Sequence, residues 1–363
     1  MGLVATRLIL RNFRNYEILE LEPDSVLTVL VGPNAAGKTN IVEAMQLLTA
    51  ADSFRKPQWS DLVMWGKEQA SLSLRAEGDN RLLETELEVS GAGRRAYRVN
   101  GKARRRVSEA AGLLPCVVFT PDDLRLVKDA AERRRSAIDS VGDQLSSTYM
   151  ATRTEYERVL RQRNSLLKHT QPNTELLDTL TEKLARSGFA FAGHRKRLFE
   201  RISQRMSEVY PTLSNGEQLS AHYVYSWQRD GKLTRQPESD SELLSIIYSR
   251  RNEEVSRGTT IIGPHRDEVF FAVGGRDART FASQGQQRTI ALAWKLAEVG
   301  VITEIAGQAP VLLLDDVMSE LDEMRRQALM SFVGRAAQTI LTTTNIGYFD
   351  DELIERAKVV TLG

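Results

Sequence analysis

An α/β fold, in which a mixed-sheet lobe is interrupted by an inserted helical lobe, is predicted by three features of the sequence. The segment "VLTVLVGPNAAGKTNIVEAMQLL" joins an apolar strand to an amphipathic helix through a glycine-bracketed loop. The segment "APVLLLDDVMSELD" is a second apolar strand, and it ends on two aspartates. Strand-like stretches at both ends of the chain flank a middle made of long, charged helices.

At 363 residues the chain exceeds the roughly 250–300 residues at which one core stops growing, so more than one compact region is expected. Residues 1–116 hold short alternating or apolar runs such as "TRLILRNFRNY", "ASLSLRAEG", "RLLETELEVSG" and "RAYRVNGKA", which read as a β-rich first lobe. Residues 117–300 form the expected helical second lobe, with "HTQPNT" as the turn of a helical hairpin. Residues 301–363 return to the first lobe and finish on the strand "AKVVTLG".

Lys and Arg total 49 against 48 for Asp and Glu, so net charge attracts neither nucleic acid nor membrane, and any anionic partner must meet a local patch. The single cysteine, Cys116 in "PCVVFT", excludes an internal disulfide framework and reads as inert packing in a buried strand. No window approaches 18 uninterrupted apolar residues, and "MGLVATRLIL" lacks the features of a secretory leader. No membrane partner and a cytoplasmic location are expected.

The first motif reads G-x-x-x-x-G-K-T across Gly32, Gly37, Lys38 and Thr39, with the preceding strand and following helix that a P-loop requires. Its glycines let backbone N–H groups curl into a nest at a positive helix end. Lys38 neutralises β- and γ-phosphates, and Thr39 offers a hydroxyl to Mg²⁺. Asn34 and Asn40 complete the expected contacts to ATP. The second motif supplies the acidic half of the same site: Asp315 for the metal and Asp316 to polarise the attacking water, with Lys38 and Asp316 as the catalytic pair.

A third motif, "FASQGQQRT", places Ser283, Gly285 and Gln286 at the entrance of an amphipathic helix, a second anion-binding helix terminus. One triphosphate seldom needs two such ends from one chain, so the second is expected to meet the γ-phosphate held by a partner subunit. S-x-G-Q ahead of an acid-tipped strand, followed by Ser319, Glu320, Leu321 and Asp322, resembles the signature motif and D-loop of the ABC ATPase class, in which two heads sandwich two ATPs. The expected fold is therefore an ABC-type P-loop NTPase head.

Across nearly its whole length the chain resembles the RecF family of recombination mediators related to SMC proteins. The residues that carry this are "LRNFRNY", "GPNAAGKTN", "DSFR", "VVFTPDDLRLVK", "ERRRSAID", "GPHRD", "SQGQQR" and "LLLDDVMSELD". It departs from the family pattern at "DAA" (129–131) and at Asp267-Glu268. The resemblance implies homodimerisation on ATP, action on double-stranded DNA at gaps or single/double-strand junctions, cooperation with RecR and RecO, and loading of RecA. It also implies that Arg55 in "SFR" is directed toward nucleotide. Asp316 is shorter than the glutamate of fast ABC ATPases, and "QTILTTTN" has threonines where transporters place a switch histidine, so slow hydrolysis is expected. A Q-loop glutamine is not identified. The rival readings are an ABC-class ATPase coupled to transport or translation, and a structural DNA clamp that does not hydrolyse ATP.

Arg94, Arg95, Arg98, Lys102, Arg104, Arg105 and Arg106 crowd an expected hairpin with an Asn100-Gly101 turn, a candidate contact for a phosphate backbone. Little aromatic sequence interleaves with them, which favours backbone contact with a duplex over base stacking. Arg133 to Arg135 open a helix, as structural residues or facing a partner head. His265 in "GPHRD" is expected to be a hydrogen-bonded structural group.

Overall fold

The computed structural model describes residues 2–78, 80–104, 109, 111–169, 171–214, 216–228, 237–333 and 338–363. The chain divides into two compact units, residues 1–125, 212–214 and 285–363 forming the first and 126–211 and 215–284 the second.

In the first unit, β1 (Val4–Phe13), β2 (Tyr16–Leu21), β4 (Gln69–Gly78), β5 (Arg81–Ser90), β6 (Arg95–Val99) and β7 (Lys102–Arg104) form an antiparallel sheet in the order β2-β1-β4-β5-β6-β7. Its alternating pattern sends Leu72, Leu74, Leu87, Val89 and Tyr97 inward. A second sheet is parallel, in the order β14-β3-β13-β12-β8, from β3 (Leu27–Val31), β8 (Cys116–Phe119), β12 (Val311–Asp315), β13 (Thr339–Thr343) and β14 (Lys358–Thr361). Its three inner strands are buried almost throughout, as the apolar runs of the sequence require, while the edge strand β14 is mostly exposed.

Helix α1 (Lys38–Thr49) packs with residues of both sheets in one core, where Ile41, Met45 and Leu48 meet Leu10 and Leu74 of the antiparallel sheet and Leu30 and Leu313 of the parallel one. It is buried on nearly every side, so it has no solvated face to keep polar. Helices α8 (Gln284–Ala306, within this unit from Gly285 onward), α9 (Glu323–Phe332) and α10 (Asp351–Arg356) complete the unit.

In the second unit, α2 (Ala131–Leu145), α3 (Ser147–Leu167) and the 40-residue α4 (Thr174–Leu213) accompany a three-stranded antiparallel sheet. The sheet has the order β11-β10-β9, from β9 (Leu219–Val224), β10 (Glu268–Val273) and β11 (Arg276–Asp277). Helices α5 (Asp240–Ser249), α6 (Arg251–Arg257) and α7 (Ala278–Phe281) follow the same unit. The expected helical hairpin is α3–α4, tied by Arg163 Nε donating to Thr181 Oγ1 at 3.0 Å. Among the described residues no helix is long and apolar enough to cross a membrane.

The lobe boundaries expected after residues 116 and 300 fall inside β8 and α8. The compact units change at Arg125 and Gly285 instead, because β8 hydrogen-bonds β12 in the parallel sheet and so belongs with the strands around the P-loop.

Candidate nucleotide site and basic surface

The loop after β3 has the conformation that its glycines predict. Gly37 caps α1 with φ 96°, and a Cβ there would lie 2.6 Å from both Asn15 Nδ2 and Tyr16 Oη. A Cβ on Gly32 would come within 2.4 Å of the Leu362 carbonyl oxygen. The Lys38 ammonium folds back over its own loop, donating to the carbonyls of Gly32 at 2.7 Å and Pro33 at 2.8 Å.

The parallel sheet brings its acidic strand end to this loop. Thr39 Oγ1 donates to Asp315 Oδ1 at 2.9 Å, and Thr342 Oγ1 at the end of β13 donates to the same oxygen at 2.9 Å. The Asp316 N–H in turn donates to Thr342 Oγ1 at 3.0 Å. Burial holds the Asp315 carboxyl above the usual range, countered by those two hydroxyls and by Arg55 and Lys38. Asp316 is likewise raised by burial, pulled back by Lys38 and pushed further by Asp315 and Glu320. Its backbone is left-handed, with φ 50°, and its Oδ1 is buried without a hydrogen-bond partner. That combination of burial and unmet acceptor capacity makes Asp316 a candidate catalytic acid.

These donors suit ATP with Mg²⁺. Among the described residues no group of three or more His, Cys, Asp or Glu could hold a metal alone. One hydroxyl and one carboxylate beside a phosphate nest are the sparse set that Mg²⁺ completes with phosphate oxygens and water.

A second cluster at the start of α1 was not legible as a site in the sequence. Glu43 is fully buried and accepts from Arg14 Nε at 3.0 Å, Arg14 Nη2 at 2.9 Å and Ser53 Oγ at 2.7 Å, with Arg55 Nη1 at 3.3 Å. Arg55 Nη1 also donates to Asn40 Oδ1 at 2.7 Å, and Asn40 Nδ2 donates to Asn15 Oδ1 at 2.7 Å. Arg55 is therefore delivered to the P-loop helix, with Arg14, Asn15 and Tyr16 of "LRNFRNY" beside it. Asn34, at the exposed crest of the loop, is the remaining P-loop residue.

Ser283 is exposed directly before α8, and Gly285 and Gln286 lie half-buried in its first turn. A Cβ on Gly285 would stand 3.2 Å from Arg325 Nη2. Arg325 Nε donates to Thr289 Oγ1 at 2.8 Å and pairs with Asp322, while Arg288 binds the backbone and carboxylate of Glu320. The start of the signature helix is thus fastened to the Ser319–Asp322 segment.

The basic hairpin forms as expected, with Val99 opposite Lys102 and left-handed Asn100 (φ 49°) and Gly101 (φ 72°) between them. Its cations are not a uniform patch. Arg98 is bound by Glu88 at 2.8 Å, and the Arg95 guanidinium lies 4.1 Å from the Trp59 ring centroid. Arg94 and Lys102 are exposed, Arg104 is half-buried, and Arg105 and Arg106 lie outside the described residues.

Arg134 is a buried structural residue, paired with Glu268 at 2.9 Å and donating to the Leu126 carbonyl at 2.7 Å; Arg135 donates to the Asp267 carbonyl at 2.6 Å. His265 Nε2 faces the Thr260 carbonyl at 3.1 Å, which fixes the proton on Nε2 and leaves Nδ1 to accept from Tyr156 Oη at 2.6 Å. That is the structural role expected of it. Cys116 is buried, and burial pushes its thiol up to about 12, far from reactive.

The description RecF/RecN/SMC N terminal domain matches residues 4–360. The DNA replication and repair protein RecF of Listeria monocytogenes is 38% identical over 356 residues, covering 96% of this chain and 95% of that protein. RecF of Geobacillus thermodenitrificans is 38% identical over 361 residues, covering 98% and 96%. Among solved structures, the recombination mediator protein RecF with ATP in the RecFOR pathway superposes with a TM-score of 0.87 at 30% identity, covering 96% of this chain and 94% of that one. An Smc head domain from Pyrococcus furiosus, at 18% identity and a TM-score of 0.54, shares the fold.

Proposed function

We propose that this chain, which belongs to the RecF family of ABC-type ATPases related to SMC proteins, is an ATP-driven clamp on DNA. Two copies close head to tail on two ATP molecules, hold double-stranded DNA beside a gap, and reopen on slow, DNA-stimulated hydrolysis. Family membership supports a setting in recombinational repair, with RecR and RecO as partners and RecA loading as the outcome.

The observation that carries this reading is the Thr39–Asp315 hydrogen bond of 2.9 Å, with the unpartnered Asp316 oxygen on the next residue. Mg²⁺ bound with the nucleotide would neutralise charge on the β- and γ-phosphate oxygens. The P-loop N–H groups cradle the phosphates, Lys38 exchanges its loop carbonyls for phosphate oxygens, and Thr39 and Asp315 orient the metal. Asp316 orients the attacking water and accepts its proton. Ser283, Gly285 and Gln286 bind the γ-phosphate held by the second copy, and Lys102 of the β6–β7 hairpin, with Arg94 of the β5–β6 turn, contacts the DNA backbone.

Light scattering of the full chain with and without ATP and duplex tests this. ATP should convert monomers to dimers that retain duplex, and monomers under every condition would sink the clamp. Asp316→Asn should keep the dimers and lose turnover. Wild-type dimers with no turnover at all would instead favour a structural clamp.

A further inference from the structure

Trp65 is 98% exposed, the most exposed of the large apolar side chains among the described residues. It sits in the tight turn Met64–Lys67, closed by Lys67 N–H donating to the Met64 carbonyl at 3.0 Å, with Gly66 left-handed at φ 78°. That turn is anchored at its start, where Met64 N–H donates to the Asn12 carbonyl at 2.8 Å. An indole fixed on an anchored turn and held wholly in water is a flat apolar surface open to a partner.

What surrounds it defines the occupant. The turn between β5 and β6 is closed by Ser90 N–H donating to the Arg94 carbonyl at 2.8 Å. It lies directly alongside, with Gly91 N–H donating to the Glu68 carbonyl at 2.8 Å. On its other side a Cβ at Gly93 would be 3.8 Å from Trp59 Cβ. Two exposed arginines, Arg94 and Arg95, rim this end of the antiparallel sheet, while Lys67 beside them is paired with Glu17 at 3.0 Å. Trp59 packs against the core and carries the Arg95 guanidinium over its ring, 4.1 Å from the centroid, with Arg95 just after the turn that neighbours the one holding Trp65. Flat π-surfaces combined with the exposed positive charge of Arg94 and Arg95 complement unstacked nucleobases and their phosphates.

We propose that Trp65, with the Arg95–Trp59 stack and Arg94, is a stacking platform for unpaired nucleobases, the single-stranded side of a gapped or junction DNA. This rests on the DNA-clamp reading and assigns it a base-contacting surface. It also revises the expectation that this basic region lacks aromatic partners: Trp59 and Trp65 are distant from Arg94 and Arg95 in sequence but share one sheet end with them.

The test uses the full chain with ATP and Mg²⁺, labelled gapped and blunt duplexes, an oligo(dT) strand, and the variants Trp65→Ala and Trp65→Phe. Trp65→Ala should weaken binding of oligo(dT) and gapped duplex about tenfold and that of blunt duplex less than about twofold. Trp65→Phe should recover most of the loss, and the quenching of intrinsic fluorescence by saturating oligo(dT) should shrink in both variants. Unchanged oligo(dT) binding by Trp65→Ala, with gapped duplex still bound, would overturn the platform alone. An equal loss on blunt duplex, or a loss of self-association with DNA binding intact, would also overturn it, the latter assigning Trp65 to a protein contact. Wild-type protein that binds none of these DNAs would overturn the clamp together with the platform.

Discussion

Thr342 serves both acidic residues of the site: it donates to Asp315 Oδ1 at 2.9 Å and accepts from the Asp316 N–H at 3.0 Å. It is fully buried at the end of β13. One hydroxyl therefore sets the orientation of the Asp315 carboxylate, the proposed metal ligand, and of the turn that carries Asp316, the proposed catalytic acid.

Thr342→Val keeps the shape and removes the hydroxyl, leaving a buried N–H unmet at a cost of about 1–3 kcal/mol. The Mg²⁺ concentration needed for half-maximal nucleotide binding should rise and turnover should fall, with Thr342→Ser restoring both. A magnesium titration of nucleotide binding checks this. A valine variant that loses stability but keeps the wild-type magnesium dependence would reduce Thr342 to a packing role.

Ser283 stands exposed ahead of a helix whose first turn is fastened to the Ser319–Asp322 segment through Arg288 and Arg325. Ser283→Arg places bulk and positive charge at that entrance without disturbing the P-loop. ATP affinity of the isolated chain should stay within about threefold, a change below 1 kcal/mol, while ATP-driven dimers disappear. Equilibrium nucleotide binding and sizing on the same samples separate the two. Parallel loss of both would place Ser283 in the nucleotide site of its own chain.

Burial, with Arg266, Arg135 and Arg195 nearby, lowers His265 to about 4. The folded pKa lies below the unfolded value of about 6.5, so the unfolded chain binds the extra proton first. His265 therefore contributes stability that is complete above about pH 6.5 and is lost as pH falls toward 4, up to about 3 kcal/mol. Denaturant midpoints at pH 7 and pH 5 should fall further for wild type than for His265→Gln. An identical fall in both would assign the acid sensitivity to other groups.

The nucleotide motifs and the basic hairpin were legible because each is local: glycines at a strand-to-helix turn, carboxylates at a strand end, Asn-Gly between short strands. The Arg14–Glu43–Arg55 cluster was not. Glu43 occupies what looks like the polar stripe of an amphipathic helix, and only the packing of α1 with both sheets buries it. The sequence offers Arg98 among the hairpin cations without its partner, because its pairing with Glu88 depends on the register of β5 and β6. The boundary at β8 was misplaced for a related reason. A four-residue apolar strand before an acidic turn gives no local sign that its partner, β12, lies far along the chain.

Asp316 adopts φ 50° and ψ 26°, a region where aspartate and asparagine are several-fold enriched among non-glycine residues. The bend that turns the chain away from β12 and aims the carboxylate thus also selects for a short acid. A longer acid would gain a methylene of reach at a backbone position less suited to it. On the proposed role of Asp316 as the acid that positions water, the pace of nucleotide turnover would be written into a dihedral angle as well as a side chain, and lengthening the acid would call for rebuilding its turn.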